Sequence, residues 1–456
     1  MVIAQRIGGW SSEYRRPLVG TGLFVVAACV VALQVYYVFA PLFWTPPLLW
    51  QDTISYQHVA HAATSTLLSR SRPPVYPLLL RIYPSARALL PIQGAVSILS
   101  FDILALTVVW TLRGSVVGYL LGVAIALFCV VQPVSLWNYS ILTESFTISA
   151  NALALAAWIG LRTRWTLIPA LGLICAFAVF LRDSEEVVFG LLALAIFALS
   201  FFDKGHRNVQ LLAALLVAAL SLGAFGLAYH SKRNASYLKS VFYVRIFPYP
   251  DRVAWFFSHG MPDANLIDAL AAHTQQPALA AKVVTPDLRS PDFQALNSWF
   301  SSSAASVYAE FLFWHPSYFF LEPFDTPPQI TNNAGGNVRF YAPAHQLVLN
   351  WLDEILFARG PLTAIAALVI GAALASRDDT DRRSWFRAVA IVVIAGLGSL
   401  IMWHANGEEA ARHTIETDIM ARLGILLALG ALAGQHPGDV KWQETSSEMV
   451  AVRPET

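Results

Sequence analysis

Apolar residues fall in runs of roughly twenty, parted by short polar segments, along most of the chain. The runs lie at about 18–40, 88–110, 115–133, 141–161, 166–182, 186–202, 208–229, 361–375, 386–404 and 412–434. Each is near the length a bilayer's hydrocarbon core demands. One long interval, 230–360, is too polar and too rich in Pro, Asn and Ser to span. Within it "DANLIDALAAH" and "FQALNSWFSSSAASVYAEFLFW" carry helical periodicity. The pattern predicts an all-α polytopic membrane protein with about ten transmembrane helices. Its parts are an N-terminal transmembrane module at 1–229 with a first outer loop at 41–87, and a mostly helical extracytoplasmic insert at 230–360. C-terminal helices at 361–434 and a tail at 435–456 that reads as disordered complete it. No repeat of 20–50 residues stands out.

Composition agrees with the pattern. Of 456 residues, 56% are hydrophobic and only 13% charged, where a soluble domain carries about 25%; mean hydropathy is +0.54. The net charge of +1 gives no electrostatic case for nucleic acid. Cys29, Cys129 and Cys175 sit inside apolar runs and read as packing residues, not as a disulfide framework or a zinc site. The segment after the first run, "TPPLLWQD", lacks a small-x-small cleavage pattern, so the first helix reads as an anchor. Basic residues set orientation. Arg6, Arg15 and Arg16 precede the first run; Arg113, Arg162, Arg164, Lys204, Arg207, Arg377, Arg382, Arg383 and Arg387 fill alternate loops; Lys441 and Arg453 lie in the tail. With ten spans these share one face, which places both termini in the cytoplasm of a plasma (inner) membrane.

Ionisable groups at membrane depth are functional candidates, because an unpaired one is costly there. Here they gather at the outer ends of helices. Asp52 opens a helical pattern in the first outer loop, with Tyr56 one turn on. Glu144 starts the fourth run; Arg182, Asp183, Glu185 and Glu186 join the fifth and sixth; Arg412, His413, Glu416, Asp418 and Arg422 fill the outer half of the last. Asp52 reads either as a site carboxylate or as the cap of its helix. Arg72 and Arg81, beside Tyr76 and Tyr83, read either as headgroup anchors or as phosphate ligands; the Pro-Pro after Arg72 holds it extended. His58 and His61 share a helix face but read as interfacial surface residues. Asp418 and Arg422 are spaced to neutralise each other. Asp102 lies in mid-span, suited to pairing with a neighbouring helix.

Taken in order, "WQDTISY", "RPPVYPLLL", "ILTESF", "FLRDS" and "FWHPSYF" make the chain resemble the GT-C superfamily of integral-membrane glycosyltransferases, most closely over about 20–200. The resemblance implies transfer of a sugar from a polyprenyl-phosphate donor to a hydroxyl on a glycan, lipid or protein, with inversion. Asp52 would be the catalytic base. Arg72, Tyr76, Arg182, Arg412 and His413 would serve the donor phosphate, and Tyr56, Glu144 and Glu185 would support them. A groove between helices would take the polyprenyl tail from the surrounding membrane lipid. Asp52 stands alone between Gln51 and Thr53, unlike the paired acids of some members. The loop also lacks an acid-x-acid pattern, so no metal or other cofactor is indicated. Two other readings remain: a polymerase or ligase of lipid-diphosphate-linked glycans, which would rely on basic residues of the 230–360 segment, and a transporter. The outward placement of the polar residues and the lack of internal repetition weigh against transport.

Overall fold

A computed structural model describes residues 12–44, 47–49, 51–62, 72–83, 85–112, 115–161, 164–202, 205–231, 233–262, 294–325, 382–405 and 414–433. Among the described residues there is no strand, only one isolated bridge between Leu48 and Ser140. Helix α1 (Ser12–Trp44) leads into a loop holding α2 (Gln51–Ala60) and α3 (Val75–Ile82). The N-terminal bundle continues with α4 (Ala86–Thr111), α5 (Val116–Ala126), α6 (Gln132–Ser135), α7 (Glu144–Gly160), α8 (Ile168–Val179), α9 (Ser184–Ser200) and α10 (Arg207–His230). The insert supplies α11 (Arg233–Val241), a π-helical turn (Phe242–Ile246), α12 (Pro250–Ser258), α13 (Gln294–Ser302), α14 (Ala304–Trp314), α15 (Pro316–Phe320) and α16 (Glu322–Asp325). Helices α17 (Arg382–Ala405) and α18 (Ile415–Ala433) follow.

Four of these helices are long and apolar enough to cross a membrane, at Thr21–Phe43, Arg87–Thr111, Arg207–His230 and Trp385–Ala405. The bent pair Val116–Val130 and Gln132–Tyr139, which meets at 49°, makes a fifth if taken as one span. The break falls at Val131, whose extended backbone precedes a helix with Pro133 in its first turn. The runs at 141–161, 166–182, 186–202 and 412–434 fold as α7, α8, α9 and α18, which are shorter or begin with acids. The run at 361–375 and the tail at 435–456 lie outside the described residues.

Helix α7 is the centre of the bundle. Almost all of its residues are buried, and it packs on α4, α8 and α18. Its alanines, among them Ala150, Ala154 and Ala157, let those neighbours come close, as packing in an apolar solvent requires. Helix α1, by contrast, buries one narrow stripe at Val30, Gln34 and Val38 and exposes Phe24, Val25 and Tyr36, a surface suited to lipid. Inside that stripe Gln34 Nε2 donates to Asp102 Oδ1 at 2.7 Å and to the Ala126 carbonyl at 2.9 Å. Asp102 is thus paired across helices at mid-span.

The first loop is clamped onto the bundle by main-chain bonds. Leu48 N donates to Tyr139 O at 2.9 Å, Ile141 N to Leu48 O at 3.2 Å, and Val75 N to Phe180 O at 3.1 Å. Thr53 Oγ1 adds a bond to Ile141 O at 3.0 Å. The described insert has its own aromatic core around Phe242, Phe256, Trp299 and Phe311. It is tied to α17 by Arg245, which donates to the Trp403 carbonyl and lies 3.5 Å over the Trp403 ring. Tyr308 and His404 add a 3.2 Å hydrogen bond.

Helices α17 and α18 approach closely at Gly424, where a Cβ would stand 2.9 Å from Val392 Cγ2 and 3.0 Å from Ile391 Cγ2. Gly424→Val is expected to destabilise the purified protein by about 1–3 kcal/mol. Gly396, with nothing within 4 Å of its Cβ position, is the control: Gly396→Ala should gain roughly 0.5–1 kcal/mol. Unfolding in detergent reads both, and equal stability of Gly424→Val and wild type would refute the close packing.

Candidate functional site

The first loop brings one carboxylate and one guanidinium together. Asp52, in the first turn of α2, pairs with Arg72, which precedes the Pro73–Pro74 entry to α3. Arg72 Nε also donates to Ser55 Oγ at 3.0 Å, and its guanidinium lies 5.0 Å from the Tyr56 ring centroid. Tyr56 rests edge-on against Tyr76 at 5.0 Å. Tyr76 is fully buried below, its hydroxyl 3.4 Å from Gln93 Oε1. Burial acts to lower the Arg72 pKa, but Tyr56, Asp52 and Tyr237 outweigh it, and the net shift is upward. Arg72 therefore stays charged at any working pH. Burial also pushes the Tyr56 phenol up.

A second, closed group stands beside it. Arg182, at the end of α8, pairs with Glu416 of α18 and lies 3.5 Å from Glu144 of α7. Thr147 Oγ1 donates to Glu416 at 2.9 Å. Both acids occupy first turns of their helices, where the helix dipole favours negative charge. Glu185 accepts from Asn151 Nδ2 at 3.1 Å. The two groups differ in access: side chains of Asp52 and Arg72 are 23% and 18% exposed, those of Glu416 and Arg182 only 2% and 7%.

A third pair completes the site. Arg233, at the start of α11, donates from Nε to Asp183 Oδ1 and Oδ2 at 3.0 and 3.2 Å, and its second nitrogen lies 3.0 Å from Oδ1. Burial raises the Asp183 pKa, and Arg233 opposes that rise. Asp52, Tyr56, Arg72, Glu144, Arg182, Asp183 and Tyr237 line one polar cleft of about 20 Å³, room for about one water. Arg182, Asp183 and Tyr237 also border a mostly apolar cavity of about 330 Å³ between α9, α10, α11, α14 and α17.

Among the described residues of the site, three guanidiniums (Arg72, Arg182, Arg233) face six carboxylates (Asp52, Glu144, Asp183, Glu185, Glu186, Glu416). Arg412 and His413, the further basic residues expected here, lie outside the described residues. Tyr76 and Glu185 are near the cleft but do not line it. His58 and His61 are exposed, and among the described residues no group of His, Cys, Asp and Glu is placed to hold a metal. Asp418 and Arg422 pair with each other. Arg81 donates to the carbonyls of Ala60 at 2.9 Å and Ala62 at 2.5 Å, pinning the end of α2. Sequence reasoning missed Arg233 and Tyr237. "SKRNAS" after an apolar run reads as solvated charge, and only the four-residue spacing of Arg233 and Tyr237 on one helix face hinted otherwise.

Arg182→Met strands Glu144 and Glu416 without their cation, so a stability loss of about 3–5 kcal/mol is expected. The loss should shrink as pH falls, because the folded variant takes up a proton on the stranded, buried Glu416 that the unfolded chain does not. Arg72→Met, at the more open pair, should cost far less. Denaturant unfolding at two pH values checks this; equal losses for both variants would contradict the difference in burial. The chain matches no protein-family model, and no curated protein is recognisably similar to it in sequence.

Proposed function

We propose that the chain is a membrane glycosyltransferase of GT-C type, which moves a sugar from a polyprenyl-phosphate donor to an acceptor hydroxyl outside the cytoplasm. In this reading about ten spans carry the site, both termini are cytoplasmic, and Asp52 is the general base. The observation that carries the reading is the meeting of Asp52 and Arg72 with Arg182 in one cleft at the helix ends.

The chemistry suits those groups. Asp52 takes the acceptor's proton as its oxygen bonds to the anomeric carbon, and the bond from that carbon to the phosphate oxygen breaks with inversion. The leaving lipid phosphate is a weak base, so one carboxylate suffices without a strong general acid. Its charge is met by guanidiniums in a site largely shielded from water. Arg72 is the movable one. A phosphate competing for Arg72 draws it from Asp52 and frees the carboxylate to accept a proton. Arg182, locked by two acids, supplies a fixed positive field, and Arg412 and His413 are assigned the remaining phosphate contacts. Glu144 orients Arg182, and Tyr76 supports Tyr56 beneath Arg72.

The test is sugar transfer by purified protein in lipid, across a panel of polyprenyl-phosphate sugars, for wild type and Asp52→Asn. Wild type should consume one donor, and Asp52→Asn should fall by about 10²–10⁴-fold with its fold intact. Full turnover by Asp52→Asn would remove the base assignment and direct attention to the basic residues of 230–360.

A further inference from the structure

The cavity of about 330 Å³ is within the size range of small-molecule sites. Phe225, Leu238 and Met402 make it apolar over most of its wall, while Asp183, Ser184 and Glu186 make one side polar. Ser184 Oγ and Glu186 Oε2 are buried there without a hydrogen-bond partner, and Glu186 is only 6% exposed. Buried polar atoms in a folded chain normally find partners, and each that does not invites an explanation. A ligand that donates hydrogen bonds would satisfy both.

Charge decides what kind of ligand that is. The cation bordering the cavity, Arg182, already faces Glu144 and Glu416, and Arg233 behind it holds Asp183. Among the described residues a phosphate headgroup would therefore meet only guanidiniums already matched by carboxylates, with the Asp183 carboxylate beside it. A hydroxylated neutral head meets acceptors instead. An apolar wall with one polar side calls for an amphiphile. We propose that this cavity is the acceptor site, and that the acceptor is a neutral lipid whose hydroxyl-bearing head bonds to Ser184 and Glu186 while its chain lies against Phe225, Leu238 and Met402. The polyprenyl chain of the anionic donor is then not what fills it. That the bound lipid is an acceptor rests on the sugar-transfer reading; that it is neutral and hydroxylated rests on the cavity alone. Because Arg182, Asp183 and Tyr237 border cavity and cleft alike, a hydroxyl at this side stands next to the compartment of Asp52, to which its proton goes.

The test uses the full chain in nanodiscs of zwitterionic lipid, with octyl β-glucoside and octyl phosphate as probes of equal chain length. Octyl glucoside should bind at least about tenfold more tightly than octyl phosphate, since its hydroxyls meet Ser184 and Glu186 while the guanidiniums nearby are already matched by carboxylates. Met402→Trp, which fills the apolar part, should abolish binding. Glu186→Met should weaken the glucoside several-fold, Glu186→Gln should restore most of it, and Ser184→Ala, which changes little volume, should weaken it in a chain with unaltered melting. Equal or tighter binding of octyl phosphate would overturn the proposal, as would unchanged glucoside affinity in Met402→Trp and Ser184→Ala. Transfer assays then separate the two readings. Glucoside binding without transfer from any donor keeps the ligand class and removes the sugar-transfer reading. Asp52-dependent transfer to free glucose as fast as to octyl glucoside keeps sugar transfer and removes the lipid acceptor.

Discussion

The guanidinium of Arg182 sits where three helices begin or end, with Glu416 on one side and Glu144 on the other. A charge that deep is tolerated only when opposite charge and hydrogen bonds replace water. The carboxylates come from the first turns of α7 and α18, where exposed backbone N–H groups already favour them. One side chain therefore fixes the end of α8 against the starts of the preceding helix α7 and of α18, far away in the chain. Helix α7 is sheathed by its neighbours, so any shift of those ends would strand charge inside the bundle.

Outward from Arg182 the site loosens by degrees. Asp183 and Arg233 are buried but paired in a fork, whereas Asp52 and Arg72 are partly open to solvent and stand on a loop clamped by a few main-chain bonds. A closely held inner charge thus stands behind a more accessible outer one. The inner guanidinium is held by acids from two helices, the outer one by Asp52 and Ser55 of the first loop.

The site has two compartments with Arg182, Asp183 and Tyr237 in common. The polar cleft adds Asp52, Tyr56, Arg72 and Glu144; the mostly apolar cavity adds Ser184 and Glu186. Their common wall sets a small polar space directly beside a larger apolar one. The insert contributes Tyr237 to that wall and Leu238 and Tyr308 to the cavity, and contacts of Arg245 with Trp403 and of Tyr308 with His404 hold it on α17.

Hydropathy alone established that the chain is helical and rich in segments of membrane-crossing length, because an apolar run near twenty residues has few other solutions. It also marked Asp52, Arg72, Glu144 and Arg182, since charges beside such runs stand out. It did not separate helices that face lipid from those wrapped in protein: α7 and α1 are both apolar, yet one is enclosed and the other bare. Lipid and protein interior reject charge alike, so a one-dimensional pattern cannot tell them apart. Nor could it pair Arg182 with Glu416, 234 positions away, or lift Arg233 out of a run that reads as solvated. Those contacts depend on which helix ends meet, and only tertiary packing, by bringing distant charges out of water together, decided that.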